Sequence, residues 1–495
     1  MESIISYFAE DFISRLEELR ANIYSDPTAM GIFVKDTRKA TDELARRFIE
    51  ATVSEIDQTI KDLPERKEGW VVDRKDKKEM STSVGVITFE KTLYRSKTYT
   101  DENGKPIRCY LLDKVMGFSP NQTMTEDVME QGLKESVQTS FRKGGEAACP
   151  EGLSKATIKK IIHGLVFPEN FKIPETKKAV DYLYIDADED HYRLQFQEKK
   201  GDLKLNGNGR KCNGAINKII YVFEDIVPEA PKSRRNRLVN THYFCRGEEQ
   251  DNKDLWKEVF SYIEAVYDLE KVKRIYINAD GGNWIKSGYT GYAGVTFVLD
   301  EFHLSEYIAK LTGHMKDSAE DARQEVYDCI RNRTEADFAR LADRLKACTE
   351  EGDILECIDR AAAFLMSNWT AAKYRLSKDD SIRACSAEGH VYHVLSSRMS
   401  TLPMGWSRHG GSQMARLREY YYNGGDMFEL ALFQKKELPM VAGAEEVVLT
   451  VHSVIEKKAK RGKLLKEYAK YSEIIQHSLS PQSSKMLAFR LNATL

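Results

Sequence analysis

Three carboxylates in this 495-residue chain have the types and settings that metal-assisted phosphoryl chemistry requires. Asp280 follows the run Ile275-Tyr276-Ile277 in RIYINADGGNWIKSG, and Gly281, Gly282 and Asn283 come directly after it. Asp188 closes an apolar run in YLYIDADEDHYRLQF, with Asp186 two residues earlier on the same face. Glu388 lies in CSAEGHVYHVLSSRM, where Val391, Leu395 and Met399 recur at four-residue steps, the period of a helix. Carboxylates at two neighbouring strand ends, joined by a third from a helix, can bridge Mg²⁺ ions ~3.5–4 Å apart and transfer phosphoryl groups. Mg²⁺ takes oxygen ligands and keeps several waters, so two or three acids suffice. The glycines after Asp280 would let a substrate backbone approach.

Each residue also has an ordinary reading. Asp, Gly and Asn after a strand make a turn. Asp186, Asp188, Glu189 and Asp190 form an acidic run of the kind that is usually solvated. Glu388 alone would be a surface helix residue. Asp186 competes with Asp188 for the first ligand position, and Asp188 is preferred. His390 and His393 are spaced i, i+3, but without an HExxH pattern or a cysteine partner they read as packing or DNA contacts rather than a zinc site.

The elements that must hold these acids follow from periodicity. DYLYIDAD, HYRLQFQ and NKIIYVFED read as successive strands, VNTHYFCRG as a short edge strand and DLWKEVFSYIEAVYDLEKV as an amphipathic helix. RIYINA and AGVTFVLD complete a mixed sheet with an antiparallel edge, an order that fits a ribonuclease H-like core across 180–303. The proline-free stretch 304–384 reads as inserted helices, and 385–430 returns to the core with the Glu388 helix. Ahead of the core, 1–68 is helical and GVITFEKTLYRSKTYTDENGKPIRCYLL places a β-hairpin or ribbon within 69–120. In 121–166, MTEDVMEQGLKESVQTSFRKGGEAA reads as one helix starting at Thr125. A second, capped by Ser154, carries Lys155, Lys159 and Lys160, giving a helix-turn-helix pattern. The tail 431–495 contains a basic helix with Lys457, Lys458, Lys460 and Arg461.

Bulk composition sets limits. Hydrophobic content of 41% and charged content of 31% are those of an ordinary globular protein. Net charge is −2, so affinity for nucleic acid must come from local clusters. The eight cysteines form no CxxC pair, which argues against zinc and for free thiols in a reducing cytoplasm. No apolar run approaches the ~18 residues of a membrane span, and the N-terminus carries acids where a signal peptide would be apolar.

YIDADEDH, INADGGNWIK, VLDEFHLSEYI and CSAEGHVYHVLSSRMSTLPMGWS together resemble bacterial insertion-sequence transposases of the ISLre group, relatives of the Mutator-like DDE transposases. The resemblance covers most of the chain and is strongest across 182–410. It implies a multidomain α/β protein: a ribonuclease H-like catalytic core with a helical insertion, preceded by a helical and β-hairpin DNA-binding region. It implies Asp188, Asp280 and Glu388 as catalytic metal ligands for Mg²⁺ or Mn²⁺, and 3′-OH attack on phosphodiesters. Asp300 and His303 match the D-x-x-H that Mutator-like enzymes carry after the second acid, and Trp406 matches a tryptophan that follows the Glu. The expected partners are double-stranded DNA, as terminal inverted repeats and target, and further copies of the chain in a synaptic complex. The expected location is the bacterial cytoplasm, on the nucleoid when DNA is bound. The helix-turn-helix lysines and the basic tail would bind DNA. A nuclease or resolvase with the same core needs neither the N-terminal region nor the insertion. A regulator derived from an inactivated transposase is disfavoured because all three acids are present.

Overall fold

The structure, a computed structural model, describes residues 7–119, 121–169, 171, 173–196, 204–205, 211–289, 292–402, 404–435 and 441–460. The chain divides into two compact units, one of residues 1–158 with 427–495 and one of residues 159–426, and the division falls inside a helix.

In the first unit, helices α1 (Ile13–Ser25) and α2 (Met30–Asp62) precede a three-stranded antiparallel sheet of β1 (Trp70–Thr82), β2 (Gly85–Thr100) and β3 (Pro106–Tyr110). The sequence led to a hairpin here, and the structure adds β1. That strand carries charges on both faces, so WVVDRKDKKEMST lacks the alternation that marks a half-buried strand. Val53 and Ile60 of α2 pack on Met80, Ile87, Phe89 and Tyr94 of the sheet. Thr92 joins the two layers by donating its hydroxyl to Asp57 Oδ2 at 2.8 Å.

The expected single helix after Thr125 is two, α3 (Glu126–Gln138) and α4 (Phe141–Ala148). Thr139 is extended, and Ser140 caps α4 by accepting the Lys143 N–H at 3.2 Å. The break lets α4 cross α3 closely, and a Cβ at Gly144 would collide with Ser136 Oγ. Thr125 stands at the N-cap of α3, but its hydroxyl donates to the Ser81 carbonyl at 3.1 Å. Helix α5 (Lys155–His163) follows, capped by Ser154, whose Oγ accepts the Thr157 N–H at 3.0 Å. Further along, the helix Glu445–Lys460 is no free tail, since Val447 and Val451 are buried in the same core as Trp70 and Ile60.

The second unit is built on a five-stranded mixed sheet of β4 (Tyr182–Arg193), β5 (Gly214–Phe223), β6 (His242–Gly247), β7 (Arg274–Ala279) and β8 (Val295–Leu299). Its spatial order is β6-β5-β4-β7-β8. Neighbours among β4, β5 and β6 run antiparallel, and β7 is parallel to both β4 and β8. YLYIDAD and the HYR that opens HYRLQFQ, expected in two strands, belong to one that ends at Arg193. β5 pairs with β4 along its length, from Tyr184↔Phe223 to Arg193↔Gly214, so the backbone never has to turn at the acidic run.

Leu183, Ile185 and Ala187 face helix α6 (Asn252–Val266) and pack with Leu255, Trp256, Val259 and Ile263. Burying each large apolar side chain of this kind contributes roughly 1.5–3 kcal/mol. The alternate residues Tyr184, Asp186, Asp188 and Asp190 share the opposite face. After β8 come helices α7 (Glu301–Thr312), α8 (Ala319–Asn332), α9 (Glu335–Lys346), α10 (Gly352–Ser367) and α11 (Trp369–Arg375), with a core of their own around Val326, Ile330, Phe338 and Leu365. Helix α12 (Ala387–Val391) then continues through a π-turn, Tyr392–Ser396, to Met399, and α13 (Arg408–Tyr422) follows.

Candidate active site

Asp188 lies within β4, not at its end. The parallel register Ala187↔Ala279 sets it level with Asp280, the first residue past β7. Each carboxylate spends one oxygen on a backbone N–H: Asp188 Oδ1 accepts from Glu189 and Asp280 Oδ1 from Gly282, both at 2.8 Å. The turn after Asp280 needs its glycine. Gly281 has φ +84°, and a Cβ there would meet the Asn368 side chain. Burial, together with the negative charges of Asp280 and Asp300, pushes the Asp188 carboxyl up to about 6. The Glu189 N–H and His303 act in the opposite direction.

Asp300 caps α7, its Oδ1 accepting the His303 N–H at 2.8 Å, while its Oδ2 lies 2.8 Å from Nδ1 of the same histidine. That bond, with the charges of Asp300, Asp280 and Asp188, holds His303 above the ordinary histidine range. LDEFH is therefore a strand end and helix cap, and it also places an imidazole in the field of both site carboxylates.

Asp186 has another occupation. It is fully buried. Its Oδ1 accepts Asn278 Nδ2 at 2.7 Å, and its Oδ2 accepts the Tyr221 hydroxyl at 2.8 Å and the Ser386 N–H at 2.9 Å. Burial still pushes its carboxyl up, against the pull of these donors. Glu388 is exposed at the start of α12. Among the described residues no three His, Cys, Asp or Glu side chains form a group that could hold a metal ion, so the structure brings Asp188 and Asp280 together without Glu388.

Trp406 is buried and donates Nε1–H to the Met399 carbonyl at 3.0 Å. Its backbone bonds to Arg193 and Gln195, which ties the segment after Met399 to the end of β4. His390 is packing: its ring lies against Tyr221 with centroids 4.6 Å apart, its Nδ1 is 2.7 Å from the Tyr243 hydroxyl, and burial lowers it to about 4. His393 is exposed. Lys155, Lys159 and Lys160 are all exposed on α5, and so is Lys457 on Glu445–Lys460. The side chains of Lys458 and Lys460, and all of Arg461, lie outside the described residues.

Two residues at this site carried no signal in the sequence. Asn278 Oδ1 accepts Arg375 Nη2 at 2.7 Å, and Arg375 also donates to the carbonyls of Leu299 and Arg383, each at 2.8 Å. The end of the helical insertion is thereby fixed to β7, to β8 and to the approach to Glu388. The alternation of Asp186, Asp188 and Asp190 was readable, but only had 182–193 been taken as one strand.

The profile of the family described as uncharacterised protein family UPF0236 matches residues 30–436. The chain belongs to that family. A UPF0236 protein of Caldanaerobacter subterraneus subsp. tengcongensis is 34% identical over 437 residues, covering 88% of this chain and 83% of the relative. Another from the same organism is 33% identical over 438 residues, covering 88% of this chain and 87% of the relative, and its name joins eleven locus numbers. UPF0236 proteins thus occur as many paralogues in one genome. Among solved structures, a chain of the Drosophila P element transposase strand transfer complex aligns at 10% identity and a TM-score of 0.23, over 69% of this chain and 88% of that one. That likeness is too slight to bear on the fold. Among the described residues no helix is long and apolar enough to cross a membrane.

Proposed function

We propose that this UPF0236 protein is a DDE transposase that cleaves and joins DNA strands at the ends of an insertion sequence. The observation that carries the reading is the pair Asp188 and Asp280, level with each other at adjacent parallel strands and close enough that the charge of Asp280 helps to raise the Asp188 carboxyl. The sheet order supports a ribonuclease H-like core. The helical stretch between Asp280 and Glu388 agrees with the resemblance to ISLre and Mutator-like enzymes. A relative named for eleven loci supports mobility, because an element that moves or copies itself leaves its gene at many places.

In donor type the pair suits a hard divalent cation. Asp188 and Asp280 offer carboxylate oxygens whose crowding a cation would relieve, and Glu388, which stands apart from them here, would have to be brought in to add a third. Bound there, Mg²⁺ or Mn²⁺ would acidify the attacking water or 3′-OH and steady the leaving oxygen. His303, fixed by Asp300, would donate a hydrogen bond toward the scissile phosphate. No serine or tyrosine nucleophile is called on, since the strand end itself attacks. Exposed Lys155, Lys159 and Lys160 on α5 would contact the terminal repeats, and several copies would assemble on paired ends.

The test uses a duplex carrying the element's terminal inverted repeat, with Mg²⁺ or Mn²⁺. Wild-type protein is expected to nick it and join it to target DNA. Asp188→Asn, Asp280→Asn and Glu388→Gln should each bind the duplex and fail to cut. Three variants that cut as well as wild type would end the reading.

A further inference from the structure

We propose that Asp186 and Asp190 are positioning residues that clamp the Glu388-bearing segment onto β4 at both ends, leaving Asp188 between them for chemistry. The inference rests on the transposase reading for what Glu388 does, but the clamp itself is a matter of geometry.

The three acids occupy alternate positions of one strand and so share a face. The segment covering that face runs from Ser381 to Ser400. Tyr184 donates its hydroxyl to the Ser381 carbonyl at 2.7 Å. Asp186 takes the Ser386 N–H at 2.9 Å and its hydroxyl at 3.1 Å. Asp190 Oδ1 takes the hydroxyls of Ser396 at 2.7 Å and Ser400 at 2.9 Å. Contacts thus ascend the strand and the segment in the same order. The spans agree: Asp186 to Asp190 covers roughly 13 Å of strand, and Ser386 to Ser396 about 15 Å of helix. Among the described residues Asp188 makes no hydrogen bond to the segment, and its neighbour is Asp280.

The local chemistry argues that these contacts serve placement and not just helix formation. Ser386 stands at the N-cap of α12, yet its hydroxyl makes no capping bond and is turned to Asp186 and Tyr221. The two serines held by Asp190 lie at the end of and just beyond the π-turn Tyr392–Ser396, an irregularity that shifts which side chains face the sheet. Asp190 is buried, and its Oδ2 has no partner among the described residues. A carboxylate kept there at such cost is retained for what Oδ1 holds. The Asp186 jaw is anchored in turn through Asn278 to Arg375, at the point where the insertion ends and the chain returns toward Glu388.

The test compares Ser396→Ala/Ser400→Ala with Ser396→Thr/Ser400→Thr in the full-length protein, which avoids a charge change in the sheet. Amide hydrogen exchange across 387–399 is read first and needs neither metal nor DNA. The alanine pair should exchange about tenfold faster there, as expected when a local opening becomes easier. Its kcat for end cleavage should fall about 10–100-fold, the loss usual for a missing supporting partner, with duplex affinity unchanged. The threonine pair should restore both. Unchanged exchange in the alanine pair overturns the clamp. So does unchanged kcat, or a threonine pair as impaired as the alanine pair. If wild type itself cuts no DNA, the transposase reading fails, and the exchange data then decide the clamp alone.

Discussion

Asp188 is an acid whose folded-state value, about 6, lies above the ordinary carboxylate value of 3.8. Such a group favours folding most below the unfolded value, and that advantage is lost as pH rises through the folded one. The window is therefore about 4 to 6, and at neutral pH the ionised carboxylate opposes folding. Asp188→Asn should stabilise the metal-free protein at pH 7.5 by roughly 1–3 kcal/mol, the upper bound being a two-unit shift at 1.36 kcal/mol per unit. Near pH 4 the gain should vanish. Thermal midpoints in chelator at both pH values check this, and an equal gain at pH 4 would refute it. His303 separates structure from chemistry differently. Asp300 provides both the cap of α7 and the ring contact, so Asp300→Ala should cost about 1 kcal/mol of stability as a lost N-cap. His303→Ala leaves the cap intact. It should lower the strand-transfer rate ~10–100-fold with little change in midpoint. Parallel losses of midpoint and rate would make His303 a packing residue.

The elements most legible in sequence were those whose periodicity reports one environment. Helix α6 buries a single coherent face, the strand at 274–279 is buried on both faces and reads as a nearly continuous apolar run, and the inserted helices have their own core, so their patterns are clear. β1 was not legible, because its charges stand on both faces. The break between α3 and α4 is hard to read in the sequence because it falls at Thr139 and Ser140, with neither Gly nor Pro to mark it. β4 was divided because alternating acids imitate a turn. That division hid the contacts that Asp186 and Asp190 make with Ser386, Ser396 and Ser400. Arg375 and Asn278 could not be found at all, since a buried guanidinium bonding to carbonyls leaves no spacing to read. The edge strand β6 carries a measurable consequence. Burial lowers His242 to about 4, and its ring stacks on Tyr262 with centroids 4.2 Å apart. A histidine with a depressed value stabilises above its ordinary pKa near 6.5 and loses that contribution as pH falls toward 4. His242→Phe should therefore lose less thermal stability than wild type between pH 6.5 and 4.5. Identical slopes for the two proteins would exclude His242 as the source.

At the scale of the whole chain, a net charge of −2 gives DNA no general reason to bind, so any affinity must come from a few exposed cations on one face. Lys155, Lys159 and Lys160 are exposed cations clustered on α5, a helix anchored by the buried Ile158 and Ile162. An N-terminal fragment ending near residue 165 would be a poor test of them. It would lack Val447 and Val451, which complete the core holding Trp70 and Ile60, and such a fragment should unfold at a lower temperature than the full chain. The full-length protein is the right subject. Each phosphate neutralised by a lysine releases condensed counterions, so log K against log salt should fall by about 0.9 per contact on duplex DNA. Replacing Lys155, Lys159 and Lys160 with alanine should flatten that slope by about 2–3 and leave the thermal midpoint near wild type, because all three side chains are exposed. The loss should be similar on element ends and on unrelated duplex if these lysines touch only phosphate. A larger loss on the element ends would give α5 a part in reading bases, and an unchanged slope would move DNA binding away from α5 altogether.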